Sequence, residues 1–203
     1  ALNGNTLTIA SGQTATVDSG KTLSGKIVNN GTINVKNGGT LSGTITNKGT
    51  IWGYGNISGF TNSGSGKAIK KVTASGTNVT FNDSAWQNNA TNYDDAYTAT
   101  LTAASGYALP ASVTVKVGGT TLAESAYTYN ASTGALSIPS AKITTDTTVS
   151  ASAPINLSDS ANSITLEQSE HTYTGSAITP ALMVNGVKAN ANNYTAEYSD
   201  NTN

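Results

Sequence analysis

An eighteen-residue repeat constrains the fold of this sequence more than any other feature. Residues 21–38 (KTLSGKIVNNGTINVKNG) align on residues 39–55 (GTLSGTITNKGTIWGYG), so that Leu23 meets Leu41, Ile27 meets Ile45, Ile33 meets Ile51 and Val35 meets Gly53. One step earlier Ile9, Ala15 and Val17 fall into the same columns. A hexad is nested inside: Ile9, Ala15, Ile27, Ile33, Ile45, Ile51 and Ile57 share one phase, and Val17, Leu23, Val35 and Leu41 the phase two residues later. Apolar residues two apart, repeated in this way, describe short strands with alternating side chains, bent at corners and wound three sides to a coil. The expectation is a short parallel β-helix of about three coils, near the minimum for a stacked core, so its ends need caps.

Corners require small or left-handed residues, and Gly20 with Gly38, Gly25 with Gly43, and Gly31 with Gly49 recur at the coil period. The columns also stack Asn29 on Asn47, and Thr14 on Thr32 on Thr50, as ladders that satisfy amides from coil to coil. A run of antiparallel hairpins competes with this reading, with Asn-Gly at 30–31 and 37–38 as the turns. The next stretch, NISGFTNSGSG, shortens the repeat and adds Phe60, as a terminating coil would, and Gly64 to Gly66 read as a linker.

From about Lys70 the pattern changes to longer strands with ordinary turns. VTASGTNVTF, AYTATLTAA, SVTVKVG, AYTYNA, GALSIP and TTVSASA alternate apolar and polar residues at the spacing of a β-sandwich. Gly118-Gly119 and Asn130 to Gly134 supply turns, and Pro110 and Pro139 sit at strand ends, where a missing donor is tolerated. After Ala153-Pro154, the polar stretch NLSDSANS reads as a linker into a third unit. The fold class expected is therefore all-β, divided as 1–66 (solenoid), 67–154 (sandwich) and 155–203 (partial module).

Two segments carry a family resemblance. Gly106-Tyr107 with Leu109-Pro110, Val117-Gly118-Gly119, Tyr127-Thr128-Tyr129, Thr133-Gly134 and the closing run from Ile143 to Ala153 make residues 97–153 resemble the Ig-like repeat modules of surface proteins from Gram-positive, largely gut-dwelling bacteria. Tyr173-Thr174-Gly175, Thr179-Pro180, Val184 with Gly186, Asn193-Tyr194-Thr195 and the run from Tyr198 make residues 164–203 similar to a second bacterial Ig-like repeat. The resemblance implies Ig-like β-sandwich modules that act as spacers or ligand-presenting units. That family carries an acidic residue where Asn193 stands, and it continues into further strands beyond the turn at which residue 203 falls. The last module therefore reads as incomplete, either truncated or completed by a partner strand. A start at Ala1 without Met points to processing or a cloned fragment.

Chemistry is sparsely represented. Only 10% of residues are charged, net charge is -1 and Arg is absent, which removes the bidentate recognition of phosphate and makes nucleic acid a poor partner. There is no Cys, and His171 is the lone histidine, so disulfides, thiolate nucleophiles, general-base relays and transition-metal sites all lack parts. No run of about 18 apolar residues is present to insert in a membrane. Asn82-Asp83 and Asp94-Asp95 bracket a loop around Trp86, and these hard oxygen donors make Asp83, Asp94 and Asp95 candidate calcium ligands, the one cofactor the sequence admits. Ordinary turn residues are the competing reading.

Trp52, Tyr54 and Phe60 fall in the outward phase of the hexad near the end of the solenoid, as candidate residues for a sugar face or a protein interface. The alternative is a cap that covers the last coil against the next module. The function expected is a non-catalytic structural or adhesive segment of a large bacterial cell-surface or secreted protein, extracellular on the surface or wall, with a host or bacterial surface glycan or protein as partner. A carbohydrate-binding accessory region of a secreted glycan-active enzyme is the second expectation.

Overall fold

The computed structural model describes residues 4–167, 172, 175, 178–189 and 196–197. It is nearly all β and begins with a parallel β-solenoid of about four turns. Nine strands build it: β1 (Thr6–Ile9), β2 (Thr14–Val17), β3 (Thr22–Asn29), β4 (Thr32–Val35), β5 (Thr40–Asn47), β6 (Thr50–Gly53), β7 (Asn56–Ile57), β8 (Phe60–Asn62) and β9 (Lys67–Ile69).

Each coil has three sides. On one, β1, the second halves of β3 and β5, and β8 stack Leu7, Ile27, Ile45 and Phe60 in a file. On the next, β2, β4, β6 and β9 stack Ala15, Ile33, Ile51 and Ala68. The third stacks Leu23, Leu41 and Ile57 through the first halves of β3 and β5 and through β7. β3 and β5 turn the corner between sides at Gly25 (φ 128°) and Gly43 (φ 114°), a backbone region that disfavours any side chain. All these pairings are parallel, so the hairpin reading fails. A type I′ turn needs positive φ at both central residues, and neither Asn30 nor Asn37 has it.

The expected columns hold from Leu23 to Ile51 and slip at both ends. β1 registers twenty residues ahead, Leu7 on Ile27 and Ile9 on Asn29, because the corner at residues 10–13 is longer than the two-residue corners at 30–31 and 48–49. Ile9 therefore belongs to the asparagine file and not, as its phase suggests, with Ile27. Shortening in the last turn places Ile57 on Leu41 and Phe60 on Ile45. Phe60 is thus an inward residue packed against the core, contrary to its outward sequence phase. The last strand, β9, is still paired with β6, so residues 64–66 form a turn within the solenoid and the coil runs three residues past the expected 66/67 division.

The asparagine ladder lies inside. Asn29 and Asn47 have no exposed surface. Asn29 Nδ2 donates to Asn47 Oδ1 (2.8 Å), and Asn47 Nδ2 donates to Asn62 Oδ1 (2.7 Å) and to the carbonyl of Lys67 (3.0 Å). Each amide thus satisfies the next, which is what permits a polar side chain in an otherwise apolar core.

Beyond the solenoid come β10 (Val72–Thr77), β11 (Val79–Asn82), a one-turn helix α1 (Ser84–Gln87), β12 (Tyr97–Ala103), β13 (Thr114–Val117), β14 (Thr120–Thr121), β15 (Thr128–Tyr129), β16 (Ala135–Ile138) and β17 (Thr147–Ser152). They form two four-stranded sheets, ordered β10-β17-β13-β14 and β11-β12-β16-β15. The single expected strand over VTASGTNVTF is split at Asn78, whose positive φ (56°) carries the chain from one sheet to the other. Alternation is visible in burial: Tyr97, Ala99 and Leu101 of β12, and Val115 of β13, are buried while their neighbours are exposed. The solenoid and these sheets make one compact unit; residues 104–108 with 154–203 make a second.

In the second unit β18 (Ile164–Leu166), β19 (Leu182–Val184) and β20 (Val187–Lys188) form an antiparallel sheet. Asn185 and Gly186 both have positive φ (52° and 77°), as a two-residue hairpin turn requires. The segment read as a linker is pinned instead: Asn162 Nδ2 donates to the carbonyls of Gly106 (2.7 Å) and Asn156 (2.8 Å), and Asp159 accepts from the amide of Gly106 (3.2 Å). Tyr173, Thr174, Asn193 to Thr195 and Tyr198 to Asn203, on which the second resemblance rests, lie outside the described residues, as does His171.

Candidate functional site

The three aromatic residues singled out at the end of the solenoid meet different fates. Phe60 fills the inward file of the last coil and meets Tyr93 edge-on, ring centroids 5.4 Å apart at 73°. Tyr54 donates its hydroxyl to Asp146 Oδ1 (2.6 Å) and accepts the amide of Lys71 (3.3 Å), while Lys71 Nζ lies 3.5 Å from Asp146 Oδ2. These contacts join the solenoid to the two-sheet module, Phe60 through its ring and Tyr54 through its hydroxyl. Trp52, half-buried, lies in the outward file between Asn34 and Ile69.

The same junction uses residues that the sequence did not single out. The backbone amide of Ala68 and Nδ2 of Asn62 both donate to the carbonyl of Ala90 (2.8 and 3.3 Å). Asn92, buried, accepts from the amide of Lys70 (2.8 Å) and donates to the carbonyl of Trp86 (3.1 Å). Lys70 Nζ donates to both the carbonyl and Oγ of Ser140 (2.7 Å each), and Ser140 Oγ donates to the carbonyl of Tyr93 (3.0 Å). Burial holds the Lys70 amine below its ordinary range, partly offset by Asp94. The polar loop 88–95 thus closes the solenoid, giving partners to donors that an open coil end would leave to solvent.

The three candidate metal ligands do not converge. Asp83 accepts from the Tyr97 hydroxyl and from Gln87 Nε2 (2.9 Å each), Asp95 accepts from Asn89 Nδ2 (2.6 Å), and Asp94 acts on Lys70 and Tyr93. Among the described residues no group of three or more His, Cys, Asp or Glu side chains is arranged to hold a metal ion. Asp83 and Asp95 are hydrogen-bond acceptors within the segment around Trp86, whose ring packs edge-on against Tyr97 at 5.1 Å.

Five buried or half-buried tyrosines resist losing their protons. Burial, then hydrogen bonding to Asp83, raises the Tyr97 hydroxyl far above its ordinary 10.0, and burial with Asp146 does the same for Tyr54. Burial also raises Tyr93, Tyr127 and Tyr129. Above pH 10 the unfolded chain releases these protons while the native one holds them, so stability falls as pH rises. Lys70, shifted down, works in the opposite sense and gains stability as pH rises toward its ordinary 10.5. The tyrosines outnumber it, and urea midpoints should drop between pH 10 and 11.5, less steeply in Tyr97→Phe.

Charge is divided unevenly along the chain. Six of the ten lysines (Lys21, Lys26, Lys36, Lys48, Lys67 and Lys70) precede residue 71 with a single acid, Asp18, whereas the other four are accompanied by ten acids. Asp18 is taken by Lys36 at 2.6 Å. The solenoid therefore has a net positive charge. Its side β2-β4-β6-β9 carries two outward files, Thr14-Thr32-Thr50-Lys67 and Thr16-Asn34-Trp52-Ile69. In comparisons with protein-family models, with curated proteins and with solved structures, nothing matches this chain.

Proposed function

We propose that this chain is a non-catalytic structural or adhesive segment of a large bacterial cell-surface or secreted protein, spacing or presenting binding regions. The observation that carries the reading is the closed junction. Loop 88–95, Lys70, Ser140 and the Tyr54–Asp146–Lys71 group bind the end of the solenoid to the next module, so two β architectures form one compact unit. Stacked coils joined in this way suit a spacer, because each coil supports its neighbour.

The resemblance of residues 97–153 and 164–203 to Ig-like modules of Gram-positive surface proteins supports the location. So does the absence of cysteine, which leaves the fold indifferent to redox conditions. Antibodies raised against residues 4–153 should label intact, unpermeabilised cells of the source bacterium or appear in its medium. Labelling confined to permeabilised cells would overturn the proposal.

A second reading, a carbohydrate-binding accessory region of a secreted glycan-active enzyme, is favoured by Trp52 alone, since Tyr54 and Phe60 are occupied at the junction. A catalytic domain encoded on the same polypeptide would distinguish it.

A further inference from the structure

We infer that the solenoid side β2-β4-β6-β9 binds an acidic polysaccharide, with Trp52 as the stacking platform for a sugar ring and Lys48 and Lys67 as the groups that receive its negative charges. The inference rests on the adhesive reading of the chain and gives that adhesion a site and a ligand class.

Parallel pairing fixes the geometry. Trp52 stands in register with Asn34 on one side and Ile69 on the other, and Lys67 in register with Thr50. Neighbouring strands lie about 4.8 Å apart and side chains on one face recur about every 6.6 Å, so Trp52 and Lys67 are diagonal neighbours separated by about 8 Å at the backbone. Lys48 occupies the corner just before β6, where the chain at Gly66 stacks directly on it. This side thus carries an indole (Trp52), an amide (Asn34), hydroxyls (Thr32, Thr50) and one cation (Lys67), with Lys48 at the corner that leads into it.

The chemistry selects among ligands. Aromatic faces stack on apolar ring faces, and the flanking amide and hydroxyl groups match a polyhydroxylated chain. Lys48 and Lys67 are exposed and have no ion pair among the described residues, whereas the one solenoid acid is already paired with Lys36. A lysine ammonium is a point charge that accepts carboxylate or sulfate without the planar fork of Arg. Of the acids after residue 71, Asp146 and Asp94 reach the closed end of this side, where Lys71 pairs with Asp146 and Lys70 faces Asp94.

Affinity chromatography and calorimetry on the full chain should show binding to polygalacturonate and to dextran sulfate, but not to neutral dextran. The first two distinguish a carboxylate ligand from a sulfate one. Lys48→Gln/Lys67→Gln should weaken binding at least about tenfold, whereas Lys21→Gln/Lys26→Gln, just before β3 and within it on other parts of the coil, should change it little. Trp52→Ala should weaken it about tenfold, and Trp52→Phe, which keeps a ring, should retain most of it. Melting curves check that each variant folds. Absence of binding to either acidic polymer, equal binding of neutral dextran, equal loss from the two lysine pairs, or undiminished binding by a folded Trp52→Ala would each overturn the inference. So would acidic-module pairing between copies, seen as low-salt dimers in sedimentation that the Lys48/Lys67 variant abolishes. None of these results bears on surface exposure, which the antibody labelling reads separately.

Discussion

Gly43→Ala is expected to destabilise the compact unit by more than about 3 kcal/mol, enough to lower its melting temperature by roughly 6–12 °C. Gly43 turns the corner within β5 with φ 114°. A methyl group there would land on the carbonyl oxygen of Gly25 in the coil beneath, with the amide nitrogen at 2.7 Å and the carbonyl carbon at 3.0 Å. Every obstructing atom is backbone held in a parallel ladder, so nothing nearby can rotate away. The variant must separate two coils or abandon the bend. Gly20→Ala is the control, because its φ is also positive (71°) but nothing lies within 4 Å. It should lose only the conformational term, about 1 kcal/mol. Equal losses at the two positions, measured by thermal melts, would show that coil contact is not what requires glycine at Gly43.

Asn47→Leu is expected to cost about 3–5 kcal/mol despite replacing a polar side chain by an apolar one of similar size. Asn47 is the middle rung of the ladder, fully buried, and removing its amide strands the carbonyl of Lys67 and Oδ1 of Asn62 and takes one acceptor from Asn29. An unmade hydrogen bond in the interior costs more than a made one contributes, which is why hydrophobicity does not compensate. Asn62→Leu, at the half-exposed end of the ladder, should cost about 1 kcal/mol, since Asn47 Nδ2 keeps the carbonyl of Lys67 and Ala90 is open to water. Urea titrations with unchanged slope would report both values as stability differences. A loss at Asn47 no larger than at Asn62 would mean the ladder is not cooperative.

Much of the fold is readable in the chain, for a local reason. A coil repeats its own chemistry every eighteen residues, so Leu23 on Leu41, Ile27 on Ile45 and Asn29 on Asn47 can be aligned without knowing the path of the chain. The strands of the two-sheet module are equally local, because alternation marks β12 and β13 wherever they pack. Where corner lengths change, local reading fails: four residues at 10–13 displace Ile9 by two places, and the short last turn brings Phe60 inward. The candidate site was legible only in part. Trp52 was placed on the outer surface, but Tyr54 was diverted by Asp146, ninety-two residues away in sequence. No spacing rule connects such a pair.

The sequence by itself determined the all-β class, the coil period, the central register and the poverty of ionisable chemistry, because each follows from residue type and short-range order. Tertiary structure alone decided which residues became neighbours across modules: loop 88–95 closing the solenoid, Tyr54 bound to Asp146, and Lys70 bound to Ser140. Those outcomes depend on where the chain turns and which backbone donors it must satisfy at the open end of a coil. They are properties of the assembled backbone, to which periodicity along the chain is blind.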